Sequence, residues 1–220
     1  MCAHFDPVIQ PQRLTTFFGV DDLPLDLRPS LWPGYFGPFV RRHEFAEVGD
    51  EAVPLREGLV GSFGLIPHWS KDDLIARRTY NARSETVHEK PSYRDAWRKA
   101  QHCIIPAEAI YEPDWRSGKS ISTRIARADG QPMGIAGLWS EWRNSKGERI
   151  HSFTMLTINA DAHPVMRNFH KPDDEKRMVV ILDATAYDAW LTATSAVSRD
   201  FLSAFPAENL VAEQPQLGLL

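Results

Sequence analysis

The chain has 220 residues, of which 43% are hydrophobic, and it carries a formal net charge of −4. Its length and apolar content suit a single domain over residues 1–220 with a sizeable core. The acidic balance argues against a protein that coats nucleic acid without specificity, since phosphate binding is mostly electrostatic. The start MCAHFDPVIQ lacks a secretory signal, and no apolar run could span a membrane, so we expect a cytoplasmic protein without membrane association.

Short apolar runs bounded by Pro and Gly recur along the chain and predict β-strands. In chain order they are Phe39–Val40, Leu59–Ile66, His102–Ile105, Met133–Trp139, Phe153–Ile158 and Met178–Leu182. Helical patterns are fewer: Ser92–Ala100 with its Ser as cap, Ala184–Thr192 after Asp183, and Ser198–Phe205. Strands that outnumber helices without alternating with them favour an α+β domain of mainly antiparallel strands. We expect the extreme C-terminus to be flexible.

Positive charge is concentrated between Lys71 and Lys99, although the whole chain is acidic. The segment contains Arg77, Arg78, Arg83, Lys90, Arg94 and Arg98. A basic face on an acidic protein is therefore possible.

Cys2 is the first candidate for chemistry, because removal of Met1 would leave a free α-amine beside its thiol. The reference pKa values of about 8 for the amine and about 8.5 for the thiol suggest that both react near neutral pH. Such a 1,2-aminothiol condenses with an aldehyde to an imine, which the thiolate then closes to a thiazolidine ring. The alternative is that Cys2 is only part of a disordered or packed terminus.

Asn81 and Arg83 would share one face of an extended segment, with Glu85 two residues further on. An amide and a guanidinium suit an amine or hydroxyl and a phosphate, respectively. The alternative is a strand end in which Arg83 pairs with Glu85 or another acid. Trp69 lies two residues after Pro67 and could stack on a base, or it could equally be a core or lid residue.

Two further groups could move protons. Glu112 lies between an aromatic residue and a proline after an apolar strand, where its pKa could be raised. His170 lies in a charged loop before an apolar strand and could titrate near neutral pH. The alternatives are a solvated carboxylate and a surface histidine.

Other site types have little support. The sequence has no CxxC, HExxH or G-x-S-x-G motif and no Gly-rich phosphate loop, so we expect neither a metal nor a cofactor. Cys2 and Cys103 should be reduced.

Several ordered motifs together resemble the SRAP (SOS response-associated peptidase) family over nearly the whole chain. They are Met1-Cys2, Tyr35-Phe36-Gly37-Pro38, GLIPHW at Gly64–Trp69, NARSET at Asn81–Thr86, CIIPAEAIYE at Cys103–Glu112, AGLW at Ala136–Trp139, and the segment from His170 to Arg177-Met178. The resemblance implies a sensor of abasic sites in single-stranded DNA that forms a covalent thiazolidine crosslink and protects the site during the DNA damage and SOS responses. It also implies a barrel-like fold, with lyase, protease and other hydrolase chemistry as side activities.

The resemblance assigns roles to four residues at the reactive centre. Cys2 matches the nucleophile, and Asn81 matches the amide that positions its α-amine. Glu112 matches the carboxylate that moves protons, and His170 matches the histidine associated with opening the sugar ring and stabilising or reversing the linkage.

The resemblance also assigns DNA contacts. Arg83 and Arg177 match phosphate-binding positions, Pro38 and Trp69 match residues that shape the DNA path, and Thr157 lies in the corresponding strand. The chain departs from the family in Ala3-His4, where many relatives have Gly-Arg, and in a longer loop between His170 and Arg177. We expect a monomer that associates with the nucleoid when bound to DNA.

Two rival functions remain open. A cysteine peptidase would use Cys2 as nucleophile and His170 as base, with Glu112 or Asn81 orienting the histidine. A non-covalent single-stranded nucleic-acid-binding module would use Trp69 and the arginines without any reaction.

Overall fold

A computed structural model describes residues 2–21, 23, 26–46 and 52–214. The described β-strands, in chain order, are β1 His4–Pro7, β2 Phe36–Arg42, β3 Arg56–Phe63, β4 Asn81–Arg83, β5 His102–Asp114, β6 Ile121–Arg127, β7 Met133–Arg143, β8 Arg149–Asn159, β9 Arg177–Val179, β10 Ile181–Leu182 and β11 Leu210–Glu213. The α-helices are α1 Pro11–Phe18, α2 Arg94–Arg98 and α3 Tyr187–Thr192. Short 3₁₀ turns cover Leu74–Arg78, Met166–Asn168, Ala184–Ala186, Ser198–Phe201 and Ala207–Asn209.

Five strands close into a barrel in the order β7-β8-β3-β2-β5, and β5 pairs back with β7. Within the described strands, β8 pairs in parallel with β3 and β4, and the remaining pairings are antiparallel. The expected α+β fold built on mainly antiparallel strands is therefore confirmed. Closure also leaves fewer exposed strand edges.

The barrel interior is filled by aromatic side chains that alternate inward along the strands. Phe63 stacks on Phe153 with ring centroids 5.6 Å apart, and Phe39 lies 5.7 Å from Phe153. A second apolar cluster lies between the outer face of the sheet and the helices, where the buried Trp190 donates its indole N–H to the carbonyl of Cys103 at 2.9 Å. Both cysteines are free and buried.

Gly64 allows the chain to turn sharply as it leaves β3. Its φ is +122°, and a Cβ at this position would lie 1.9 Å from the carbonyl oxygen of Ala76. Only glycine tolerates both the backbone conformation and this close approach. The turn starts the loop that leads to β4, which carries Asn81.

Several boundaries differ from the sequence prediction. The run Met178–Leu182 forms two strands, because β9 pairs with β8 whereas β10 crosses to β7. The helix predicted over Ser92–Ala100 is only α2 and has no side-chain cap, and Ser198–Phe205 forms a single 3₁₀ turn. Asp183 does cap its helical segment, accepting from the backbone N–H of Thr185.

Several described elements are absent from the strands and helices predicted from the sequence, among them α1, β1, β6 and β11. Their sequences mix polar and apolar residues, and each is only partly buried. Removal of Met1 and flexibility of residues 215–220 concern parts of the chain outside the described residues. No helix in the described ranges is both long and apolar enough to cross a bilayer.

Candidate active site

The described N-terminus is held against the barrel by β1, which pairs with β5 so that His4 lies opposite Tyr111. This register brings Cys2 next to the end of β5, where Glu112 follows Tyr111. The Cys2 side chain is 1% exposed, and its thiol donates to the carbonyl of His4 at 3.5 Å. Cys2 is therefore packed into the molecule rather than part of a disordered terminus.

Asn81 holds the backbone of Cys2. Its Nδ2 donates to the carbonyl oxygen of Cys2 at 2.6 Å, and Tyr93 fixes the Asn81 backbone by donating its hydroxyl to the Asn81 carbonyl at 3.0 Å. The other amide atom, Oδ1, is buried and accepts no hydrogen bond from the residues that the structure describes. A buried acceptor without a donor is costly, so this oxygen marks a position for an N–H group.

Glu112 and His170 form a buried pair beside Cys2. The Glu112 side chain is 1% exposed, and its Oε2 lies 3.3 Å from Nε2 of His170. Burial raises the pKa of Glu112 to about 7 and lowers the pKa of His170 to about 4. Both groups are therefore driven toward their uncharged forms, and near neutral pH the carboxyl group changes its protonation state easily. The two alternatives, a solvated Glu112 carboxylate and a surface His170, are therefore wrong.

The backbone of His170 supports this position. Its φ is 64°, a left-handed conformation that is uncommon outside glycine, and its N–H donates to the carbonyl of Pro113 at 2.8 Å. The imidazole also forms a hydrogen bond with the backbone of Arg177. Strain of this kind persists only where the surroundings hold the residue in place, as they do at many functional sites.

The Cys2 thiol differs from the sequence expectation. Burial raises its pKa far above the usual value, and the nearby Glu112 carboxylate raises the pKa further. The thiol is therefore protonated at neutral pH, and any reaction of the sulfur needs a base to remove the proton. Sequence reasoning had assigned the thiol its exposed-state acidity.

Tyr80 was not singled out from the sequence, yet it lies close to Cys2 and Glu112. Burial raises its pKa, and the charges of Cys2 and Glu112 contribute to the shift. Its ring packs edge-on against Phe63 with centroids 5.8 Å apart. The available signal was its position immediately before Asn81, since β4 brings that segment into the site.

The arginines form a second cluster at the end of β4 and β9. Arg83 is exposed, and its Nη1 lies 2.6 Å from Oε2 of Glu175. Arg177 is 2% exposed and donates to the carboxylates of Glu85 and Glu175 at 2.8 Å each. The pairing partner of Arg83 is thus Glu175, whereas Glu85 lies in a turn after β4 and binds Arg177.

Three of the predicted DNA-contact residues, Arg177, Thr157 and Pro38, are buried. Arg177 and Thr157 are buried together, and Nη2 of Arg177 donates to the carbonyl of Thr157 at 2.7 Å. Pro38 is buried within β2, opposite Val60. Thr157 is flanked on both sides, since β8 pairs at this residue with Arg83 of β4 and with Val179 of β9.

Other predicted features remain accessible. Trp69 is 49% exposed in the loop between β3 and β4. The basic residues of the segment 71–99 are exposed as well, namely Lys71, Arg77, Arg78, Arg83, Lys90, Arg94, Arg98 and Lys99. Within the described ranges, no group of three or more His, Cys, Asp or Glu side chains is arranged to hold a metal ion.

A model of the family SOS response associated peptidase (SRAP) matches residues 1–214. Abasic site processing protein YoaM of Bacillus subtilis (strain 168) is 32% identical over 159 residues, which cover 69% of this chain and 65% of that protein. Abasic site processing protein HMCES of Gallus gallus is 28% identical over 172 residues, which cover 67% of this chain and 49% of that protein. The chain thus spans slightly less than two thirds of the bacterial relative and about half of the animal one.

Solved structures resemble the whole described fold. A crystal structure of a protein from Bordetella bronchiseptica has a TM-score of 0.87 and 47% sequence identity, and the match covers 98% of this chain and 100% of that chain. A crystal structure of a protein from Bacteroides thetaiotaomicron has a TM-score of 0.78 at 21% identity, and the match covers 98% of this chain and 93% of that chain. The second likeness concerns the fold alone.

Proposed function

Because the chain belongs to the SRAP family, we propose that it processes abasic sites in single-stranded DNA by bonding covalently to the ring-opened sugar through Cys2. The names of its relatives, which are abasic site processing proteins, support the substrate. The proposed product is a thiazolidine crosslink that protects the site during the DNA damage response. We also propose that the protein acts in the cytoplasm as a single-domain monomer.

One observation carries the proposal: the buried side-chain amide of Asn81 is hydrogen-bonded to the backbone of Cys2. Asn81 donates to the Cys2 carbonyl at 2.6 Å, and its buried Oδ1 lacks a donor among the described residues. Once Met1 is removed, the new α-amine of Cys2 supplies the N–H that this oxygen would accept. The Asn81 amide would then hold Cys2 by both its carbonyl and its α-amine, which orients the amine for attack.

The proposed reaction balances as follows. The uncharged amine attacks the aldehyde carbon, and loss of one water gives an imine. The sulfur then adds to the imine carbon, so that a C–S bond forms, the thiol proton leaves and the nitrogen gains a proton. The net result is the joining of protein and DNA with loss of one water.

Glu112 is suited to relay these protons. Its pKa of about 7 lets it accept the thiol proton and return it to nitrogen near neutral pH. The raised pKa of the Cys2 thiol makes this relay necessary, because little thiolate forms without a base. His170, 3.3 Å from Glu112, would assist opening of the sugar ring and would hold the carboxyl group in place.

A lyase side reaction follows from the same intermediate. An imine that forms before the sulfur closes acidifies the neighbouring carbon and permits β-elimination, which would cut the strand. Ring closure removes the imine and so suppresses cutting. The balance between crosslinking and cutting therefore depends on the thiol.

The cysteine peptidase alternative has less support. A peptidase nucleophile needs a thiol whose pKa is lowered by a neighbouring cation. Burial and Glu112 instead raise the pKa of Cys2, and burial keeps His170 uncharged.

The test uses single-stranded DNA with one abasic site, followed by denaturing electrophoresis. Wild-type protein is expected to give a shifted band that survives heat and denaturant. Cys2→Ala and Cys2→Ser should both abolish the stable band, because neither has the sulfur that closes the ring, although each keeps the α-amine that forms a reducible imine. A stable band with Cys2→Ala would overturn the proposal, and Cys103→Ala is the matched control because its thiol is also buried.

A further inference from the structure

Three rings lie in a row on the outside of the barrel next to Cys2. His4 is paired with Tyr111 across β1 and β5, and a bridge between Phe5 and Leu31 places Trp32 on the other side of His4. Residues directly opposite on neighbouring strands share one face, with Cβ atoms about 5 Å apart. The His4 ring accordingly stacks on Trp32 at 4.2 Å and 11°, and on Tyr111 at 4.1 Å and 14°.

Hydrogen bonds hold this row in place from one side. The Tyr111 hydroxyl donates to one oxygen of Asp6 at 2.7 Å, and the Ser30 hydroxyl donates to the other at 2.9 Å. Ser30 also forms a hydrogen bond with Nε2 of His4. The stack is therefore pre-organised, and little side-chain freedom remains to be lost when another ring joins it.

The row ends at a half-exposed indole. Trp32 is 48% exposed, and His4 is its stacking partner among the described rings, so the opposite indole face is open to solvent. Two arginines lie close to the segment that follows Trp32. The guanidinium of Arg28 lies 4.7 Å from the Tyr35 ring centroid, and the Arg77 side chain packs beside Gly34. An open aromatic face flanked by arginines is typical of surfaces that bind single-stranded nucleic acid.

We propose that the open face of Trp32 is a stacking site for a nucleobase next to the abasic sugar, an inference that rests on the proposed function. The base would add a further ring to the row Trp32–His4–Tyr111. The Cys2 thiol donates to the carbonyl of His4, so the base would be held close to the residue that reacts. An abasic nucleotide has no base of its own to stack, and its neighbour therefore offers the nearest ring by which the strand can be positioned.

The binding should come from stacking rather than from charge on His4. Burial lowers the pKa of His4, although Asp6 acts in the opposite direction, so the imidazole is uncharged at neutral pH. An uncharged ring stacks without attracting phosphate. Removal of Trp32 should therefore weaken binding without changing the salt dependence, which the arginines determine.

The test measures the affinity of the full-length protein for single-stranded DNA that carries a tetrahydrofuran abasic analogue, which cannot open and cannot crosslink. The base is removed in turn from the position on each side of the analogue. We expect loss of one neighbouring base to weaken binding by about tenfold in the wild type. In Trp32→Ala the same base removal should leave the affinity unchanged. In Trp32→Phe it should still weaken binding, by most of the wild-type factor.

Phe45→Ala is the matched control, because Phe45 is 70% exposed and lies beyond the far end of β2. An equal affinity of the wild type for all these strands would overturn the proposal without any variant, and so would an undiminished base preference in Trp32→Ala. A failure of the covalent function is separate. It would appear as absence of crosslinking to a true abasic site while the base preference for the analogue persists.

Discussion

The side chain of Asn81 and the main chain of Cys2 are joined by a 2.6 Å hydrogen bond between residues 79 positions apart in the sequence. The strand that carries Asn81 runs parallel to the long strand β8, and the strand that follows Cys2 pairs with β5. Cys2 is thus aligned from two sides of the barrel. Its position is a property of the fold rather than of the terminus.

Replacement of Asn81 by Ala should slow crosslinking to abasic single-stranded DNA by about tenfold or more. The hydrogen bond that the side-chain amide donates to the Cys2 carbonyl and the proposed acceptor for the α-amine are both lost, and each is worth about 1 kcal/mol. Single-turnover rates measured by denaturing electrophoresis check this. Asn209→Ala is the control, since Asn209 is exposed beside β11. Equal rates for both variants would contradict the role of Asn81.

Glu112→Gln should change how stability depends on pH. The folded-state pKa of Glu112 is raised to about 7, so folded protein binds the proton more tightly than unfolded protein does. Its contribution to stability is fully present below pH about 4.5 and is lost as pH rises through about 7. The glutamine cannot ionise and should keep that contribution.

The free energy of unfolding of Glu112→Gln, relative to wild type, should therefore increase by about 3 kcal/mol between pH 5 and pH 8. Denaturant titrations at the two values measure it. His170, whose lowered pKa costs stability below its usual value, is present in both proteins and should largely cancel. A difference that is constant with pH would contradict the raised pKa of Glu112.

Glu175→Gln should tighten the binding of single-stranded DNA several-fold. Glu175 occupies Arg83 and Arg177 at 2.6 Å and 2.8 Å, where a phosphate group would otherwise be a suitable partner. Release of one arginine should also steepen the logarithmic dependence of affinity on salt by about one unit.

Glu208→Gln is the control for Glu175→Gln, since it makes the same charge change at an exposed position outside the arginine cluster. The measurement is fluorescence anisotropy with labelled DNA at several salt concentrations. Equal gains for both variants would show an effect of net charge alone and would count against a specific competition at Arg83.

Gly64→Ala should destabilise the protein by more than about 3 kcal/mol, because the new methyl group would overlap the carbonyl of Ala76. Gly118→Ala should cost only about 1 kcal/mol, since Gly118 has a positive φ but nothing within 4 Å of its Cβ position. Chemical denaturation measures both, and loss of soluble folded protein counts as the larger effect. Similar costs at the two positions would contradict the close approach at Gly64.

The sequence predicted most core strands, because apolar runs such as Phe153–Ile158 lie in the closed barrel. The resemblance to the SRAP family implied that Cys2, Asn81, Glu112 and His170 belong to one site, and the structure brings these four residues together. Elements such as α1 and β11 were not predicted, since few of their residues are buried and their sequences show no clear apolar period.

Other features depended on pairings that no local pattern reveals. The raised pKa of the Cys2 thiol follows from burial beside Glu112 and not from the residue itself. The burial of Arg177 follows from its pairing with Glu85, 92 positions away. The stack of Trp32 on His4 needs two strand pairings at one register.

The central claim is that the free amine and thiol of the mature Cys2 bond together to the sugar aldehyde. Intact mass spectrometry tests it on protein whose Met1 is verified to be absent, after reaction with abasic single-stranded DNA. The predicted adduct has the summed mass of protein and DNA less one water, and peptide mapping places it on the N-terminal Cys2. Protein that retains Met1 or carries an N-terminal extension should give no adduct. Equal crosslinking by the extended protein would contradict the account.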